Sequence, residues 1–152
     1  MPDPSAVEAV HRLVYRYAEL LDQGDFAGVG RLFAAATYRA EVAPGKIHVQ
    51  RTPAEIEQLL THLVICYEDG TPRTKHVMTN VIVDAAERAA TSRTYFTVFQ
   101  AVPPELPLQP VIAGRYHDAF EQDGSGQWHF TDRLILSDLR GDLSHHVRGA
   151  VL

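Results

Sequence analysis

Cysteine is almost absent. The single Cys66 among 152 residues cannot form an internal disulfide, so nothing in the chain calls for an oxidising compartment, and a reducing cytoplasm is the expected setting. Basic residues are the scarcer sign, 14 Lys and Arg against 19 Asp and Glu for a formal charge of -5. No cluster among them is dense enough to neutralise a row of phosphates, which argues against a nucleic-acid partner. No apolar run approaches the roughly 20 residues that span a bilayer, and the opening Met-Pro-Asp-Pro-Ser lacks the basic and apolar regions of a signal peptide, so neither a membrane partner nor export is expected. Glycine-rich phosphate loops, paired-cysteine zinc spacings and His-Glu-x-x-His helices are missing too. What is present, 45% hydrophobic and 22% charged residues with Gly and Pro scattered along the chain, describes a globular protein with one core, a single domain over 1–152.

Ser5-Ala6-Val7-Glu8 has the spacing of a capping box, in which the Ser5 hydroxyl accepts from the Glu8 amide. Val7, Val10, Val14, Ala18 and Leu21 then recur at steps of three and four, widened by Leu13, Tyr17 and Leu20, and predict a helix over 5–23 lying on the core by that stripe. Gly24 can end it, and Asp25 can cap a second helix over 26–33 that Gly28 and Gly30 weaken. A strand-like stretch from Thr37 to Val42 precedes a second capping box, Thr52-Pro53-Ala54-Glu55, and a third helix with Ile56, Leu59, Leu60, Leu63 and Val64 on one face. From residue 74 the period becomes that of strands, over 74–84, 91–102, 111–122 and 127–138, with tight reversals that make neighbours antiparallel. Residues 139–152 read as a tail. Helices followed by a meander of long strands make an α+β fold, with the helices on one face of the sheet. The strands carry apolar residues on both faces, Phe96 and Val98 against Tyr95 and Phe99, so a homo-oligomer, most simply a dimer, is expected to bury the outer face.

Few residues carry chemistry. Cys66, just past the third helix, reads as a small buried thiol, because no partner base is in view. His145 and His146, on the polar tail, read as two solvated side chains. Asp22 is more informative. It falls at the edge of the apolar arc of the first helix and in its last turn, where an anion meets the negative end of the helix dipole and stability alone would prefer Lys. His76 begins a strand on the register of Met78, Asn80 and Ile82. A buried histidine beside a carboxylate has its tautomer fixed and its imidazolium stabilised, as a general base requires. Tyr116 shares a register with Ile112, Gly114, Asp118 and Phe120, opposite to Arg115 and His117, and is a candidate polar group of a pocket.

Taken in order, Tyr17-Ala18-x-x-x-Asp22-x-x-Asp25-Phe26, Thr71-x-Arg73-Thr74-x-His76 and Asp123-Gly124-x-x-x-Trp128 resemble the SnoaL-like branch of the nuclear transport factor 2-like superfamily over roughly residues 6–140, and within it the scytalone dehydratases. The resemblance implies a cone: a strongly curved antiparallel sheet wrapped around the N-terminal helices and enclosing a mainly apolar pocket. It also implies a histidine paired with an aspartate, His76 and Asp22, that removes a proton next to a ketone. No metal or cofactor is needed. The tyrosine before the aspartate in those enzymes is replaced by Leu21, a second pocket histidine falls near Phe99, and a water-binding tyrosine corresponds to Tyr38. Residues expected to contact substrate are Tyr17, Tyr38, Asn80, Phe99, Tyr116 and Phe120.

The leading expectation is a lyase or isomerase, dehydratase-like, acting on a cyclic, largely apolar ketone such as a polyketide or steroid-like compound. Tyr116 or Tyr38 would hydrogen-bond the carbonyl oxygen as enolate charge develops. The alternative is a non-catalytic module that holds an apolar ligand in the same pocket. Epoxide hydrolysis by an Asp-Arg-Asp set ranks lower, since Arg115 and Asp118 have the wrong parity to share a face.

Overall fold

A computed structural model of the chain describes residues 4–149. Helix α1 (Pro4–Gln23) carries the expected stripe, with Val10, Val14, Tyr17, Leu20 and Leu21 buried. It begins at Pro4, so Ser5 lies inside its first turn instead of capping it. Gly24, at φ +74, turns the chain, and the Asp25 carboxylate accepts from the Gly28 amide at 2.8 Å to start α2 (Phe26–Leu32). The glycines that weaken α2 are there for contact. A Cβ on Gly30 would stand 2.5 Å from the Pro53 carbonyl oxygen at the start of α3 (Pro53–Leu63). The Thr52 hydroxyl accepts from the Glu55 amide at 3.2 Å as expected, while the Glu55 carboxylate reaches back one residue further, to the Arg51 amide at 2.7 Å.

Six strands follow the α+β expectation: β1 (Thr37–Ala43), β2 (Lys46–Gln50), β3 (Thr74–Ala85), β4 (Ala89–Val102), β5 (Leu106–Gln122) and β6 (Trp128–Arg140). They form one sheet in the order β2-β1-β6-β5-β4-β3, antiparallel throughout except that β1 runs parallel to β6. Strand β2 carried no signal: it is five residues on the sheet edge, four of them exposed, so no buried face imprints a period on it. The parallel pairing of β1 with β6 joins residues nearly a hundred apart and closes the N-terminal hairpin onto the C-terminal strand.

Strand β4 alternates almost perfectly, with Ala90, Ser92, Thr94, Phe96, Val98, Gln100 and Val102 inward under the helices. Bulges interrupt the other strands and bend the sheet around the helices. One of them corrects the reading of β3. Asn80 takes φ +52 between Thr79 and Ile82, the register flips there, and Met78 and then Val83 face the core while Asn80 and Ile82 are exposed. The core centres on Phe33, Phe130 and Phe120, with the ring centroid of Phe130 4.4 Å from that of Phe33 and 4.6 Å from that of Phe120. Each fully buried ring contributes about 1.5–3 kcal/mol.

Residues 141–149 are not a solvated tail. They fold back over the helix side, where Ile65 N–H donates to His146 O at 2.9 Å, Arg148 N–H to Leu63 O at 2.8 Å, and Val147 bridges Val64. The Arg148 guanidinium donates to the carbonyls of Thr61, His62 and Val64, closing the C-terminal end of α3. Residues 150–152 of the expected tail, and 1–3 of the N-terminal segment, lie outside the described residues. No helix among the described residues is long and apolar enough to cross a membrane.

Candidate active site

Asp22, at the last turn of α1, is fixed by three groups of β3. Its carboxylate accepts from the Thr74 hydroxyl at 2.9 Å and from the His76 backbone N–H at 2.9 Å, and the His76 Nδ1 lies 2.6 Å from its Oδ1. Both side chains are nearly closed off from solvent, 7% exposed for His76 and 12% for Asp22. A carboxylate at that distance places the proton on Nδ1 and leaves Nε2 as the basic lone pair. Burial alone would raise the Asp22 carboxyl, but the hydrogen bonds and charge of His76 and the Thr74 hydroxyl outweigh it and hold the group below the ordinary carboxylate range.

His76 lines a cavity of about 550 Å³ between the helices and the inner face of the sheet. Leu21, Leu60 and Val64 from the helices and Phe96, Val98 and Ile135 from the sheet make its wall mainly apolar. Tyr17, Tyr38 and Tyr116 also line it, and the Tyr17 and Tyr38 hydroxyls are 2.7 Å apart. Burial raises all three phenols above their ordinary range, so each is a neutral hydrogen-bond donor. The outer side of His76 borders a surface notch shared with Tyr15, Asp22 and Lys75.

Beneath the tyrosines lies a charge that parity reasoning missed. Arg133 is fully buried and donates two hydrogen bonds to the Asp118 carboxylate, at 2.7 and 2.8 Å. Its guanidinium is sandwiched between the rings of Tyr116 at 3.9 Å and Tyr17 at 4.2 Å. Burial works against its charge, yet the Asp118 carboxylate keeps its pKa above the ordinary arginine value. Alternation counted from the inward Phe130 would turn Arg133 outward. A register shift leaves Thr131 unpaired, however, and brings Arg133 inside with Phe130. Arg115 does face outward, as expected, and pairs there with Asp138.

Of the expected substrate contacts, Tyr17, Tyr38 and Tyr116 come together on the cavity and three do not. Asn80 is exposed at the bulge of β3. Phe99 stands on the outer parity of β4, opposite to Phe96 and Val98. Phe120 is 1% exposed against Phe130, behind the cavity wall. Cys66 is exposed, not buried. The largest departure is His146, expected in solvent on the tail. It is 8% exposed, lines the same cavity, and its ring centroid is 6.4 Å from that of His76. Burial, and then the neighbouring His76, push it down to about 4, so it is neutral at pH 7. The only hint in the sequence was the apolar spacing Leu143, His146, Val147 on a segment otherwise polar.

A helix-filled, curved six-stranded sheet with an apolar cavity and a few convergent polar groups defines an α+β cone of the cystatin-like, nuclear transport factor 2-like fold. The SnoaL-like domain family matches residues 4–134, and the chain belongs to it. Solved structures share the fold at low identity. An NTF2-like protein with a cystatin-like fold from Novosphingobium aromaticivorans is 19% identical, with TM-score 0.69 over 91% of this chain and 84% of that one. A protein from Catenulispora acidiphila in complex with S-DNPA is 17% identical, with TM-score 0.71 over 90% and 96%. ActVI-ORFA from Streptomyces coelicolor is 17% identical, with TM-score 0.69 over 88% and 98%. No curated protein matches the sequence.

Proposed function

We propose that the protein is a lyase or isomerase of the dehydratase type, in which His76, oriented by Asp22, removes a proton from the carbon next to the carbonyl of a cyclic, largely apolar ketone. The observation that carries this reading is the 2.6 Å contact between His76 Nδ1 and Asp22 Oδ1 on the wall of an apolar cavity. The carboxylate stabilises the imidazolium that forms, and Nε2 is the nitrogen free to take the proton. As the enolate develops, its oxygen is placed against the hydroxyls of Tyr17, Tyr38 or Tyr116. Such donors strengthen most where negative charge appears in a site shielded from water. The positive charge of Arg133, packed against the rings of Tyr17 and Tyr116, makes those hydroxyls better donors. The family includes polyketide cyclases and dehydratases, which agrees with a cyclic ketone substrate, and the sequence resemblance to scytalone dehydratase implies the same roles for Asp22 and His76.

The test is exchange of α-protons into heavy water, followed by NMR, for a panel of cyclic ketones headed by 1-tetralone. Exchange by the native protein and its loss in His76→Ala are expected. A protein that binds these ketones without exchanging their protons at any pH is a non-catalytic binding module, and that result overturns the proposal.

A further inference from the structure

Strand β2 is built inside out. Its apolar residues Ile47 and Val49 are 41% and 38% exposed, while the alternate set, Lys46, His48 and Gln50, borders the cavity. The register fixes that face: Gln50 stands opposite Tyr38 and His48 opposite Ala40, and both partners line the cavity. Burial favours the reverse arrangement, so packing does not account for a polar stripe here. Gln50, the least exposed of the three, has its Oε1 shut off from solvent and without a partner, a cost that a polar group of a ligand relieves. Arg140 extends the stripe. His76 pairs with Val98, Val98 with Ile112 and Ile112 with Arg140, so the four side chains share the cavity face. Three strand spacings put Arg140 roughly 14 Å from His76 along the curved sheet. Glu41 of β1 is level with Leu136 of β6, which carries the β1–β2 turn, and Lys46 with it, to the height of Arg140. Neither Lys46 nor Arg140 has a hydrogen-bond or ion-pair partner among the described residues. Glu41 borders the cavity too, but it stands on the row of Leu136 and Arg115, which faces outward.

We propose that the side of the cavity mouth across the sheet from His76 is a carboxylate site formed by Arg140 and Lys46, and that the cyclic ketone taken by this protein carries an acidic group. The ketone end of this assignment rests on the function proposed above; the acidic end does not. The Arg140 guanidinium offers two parallel N–H donors to a carboxylate, and Lys46 adds a point charge beside it. Both cations are exposed, so a carboxylate held there keeps part of its hydration, while the rings enter the apolar wall of Leu60, Phe96, Val98 and Ile135. A charged anchor remote from the reacting carbon fixes which carbon faces His76, a positioning role in which no bond is made or broken at the mouth. The span sets the size of the ligand. Less the reach of the two side chains, it suits two fused rings with the carboxylate on the ring that does not hold the ketone.

The probes are 6-carboxy-1-tetralone, its methyl ester and 1-tetralone, with binding followed by NMR titration. The native protein is expected to hold the acid about fivefold or more tighter than the ester at low salt, and the preference to shrink in about 0.5 M NaCl. In Arg140→Gln combined with Lys46→Met the ratio of acid to ester affinity should fall to within about twofold of one, and each single variant should lose part of it. A native protein that holds the ester as tightly as the acid overturns the assignment. So does a double variant that keeps the preference, or one that loses acid and ester in parallel, which would make the two side chains supports of the cavity. Exchange of α-protons in the same samples separates this inference from the base reading. Preference for the acid without exchange of any probe leaves the carboxylate site standing and removes the base. Exchange of 1-tetralone and the ester with no preference for the acid leaves the base and removes the site. Failure to bind any of the three overturns both. Circular dichroism establishes that each variant is folded, and Lys46→Met, on the exposed hairpin, carries the comparison if the double variant is not.

Discussion

Replacing Asp22 by Asn separates the charge of the pair from its shape. From the helix dipole alone the change is stabilising, since it removes an anion from the C-terminal turn of α1 and is worth about 0.3–1 kcal/mol. The structure reverses that sign. The carboxylate accepts three hydrogen bonds, from Thr74 Oγ1, His76 N and His76 Nδ1, and an amide offers one oxygen and a donor. If the Asn oxygen serves the Thr74 hydroxyl and Nδ1, its NH₂ points at the His76 backbone N–H and strands it, at about 1–3 kcal/mol. If the amide turns over, its NH₂ meets Nδ1 and drives the proton to Nε2, so the base no longer has its lone pair in the cavity. The balance is a loss of about 1–2 kcal/mol, which in a chain of this size lowers the melting temperature by roughly 2–8 °C. The loss of turnover is larger. A charge-assisted hydrogen bond to the imidazolium is worth about 1.5–3 kcal/mol, and a wrong tautomer adds to it, so α-proton exchange should fall by roughly 10²-fold or more while ketone affinity changes little. Thermal melts, ligand titrations and exchange kinetics on the same preparation check all three. A folded Asn variant that exchanges protons within threefold of the native protein refutes the reasoning, because it would mean that the charge of Asp22 plays no part in the chemistry.

Four further outcomes follow from the fold. His146 is neutral in the folded protein down to about pH 4 and takes a proton near 6.5 when unfolded. The unfolded chain thus binds more protons between those values, and stability falls with pH through that window, by about 2 kcal/mol at pH 5 from this group. Urea titrations should show His146→Leu to be free of that part of the decline, and identical pH profiles would refute it. Gln100→Leu keeps volume but strips donors from the Pro72 and His145 carbonyls, so it should cost about 1–3 kcal/mol, and hydrogen exchange should report loss of protection at Ile65 and Arg148 amides. In Gly114→Ala the new methyl would meet the Leu136 carbonyl oxygen and the Phe96 ring, which predicts a loss of at least about 2 kcal/mol in thermal melts. On the outer face of the sheet, Val77, Ile82 and Tyr95 are 39%, 50% and 51% exposed; we propose that a second copy covers them, so sedimentation should give a dimer that Tyr95→Glu dissociates, and a monomer mass at micromolar concentration would count against it.

Much of the frame was legible because it is written in local patterns. The stripe on α1, the cap at Thr52, the turn at Gly24 and the alternation of β4 each depend on residues a few positions apart, and each stands where the periodicity put it. Asp22 and His76 were visible for a related reason: an acid at the wrong end of a helix dipole and a histidine at a strand start are local anomalies that stability does not explain. Tyr116 followed from parity, since β5 holds its alternation from Gly114 through Phe120.

What escaped depended on breaks in that parity or on contacts between distant segments. One unpaired residue, Thr131, turns Arg133 from the surface into the centre of the tyrosine cluster, and one residue at positive φ, Asn80, sends Ile82 to solvent and Val83 to the core. Side chains in a strand alternate with period two, so a single bulge inverts every prediction beyond it. Strand β2 and the parallel contact of β1 with β6 leave no period of their own. The placing of His146 is the extreme case. Apart from Val147 its own neighbours in sequence are polar, and what carries it into the cavity is the Leu63 carbonyl, the Ile65 and Gln100 amides and the Tyr67 hydroxyl, which no reading of residues 139–152 contains. Sequence alone therefore determined the helices and the long strands, because short-range sterics and burial fix them, and it singled out Asp22 and His76 as separate candidates whose pairing only the family resemblance implied. The second histidine and the buried arginine were decided only when hydrogen bonds closed between segments far apart in the chain.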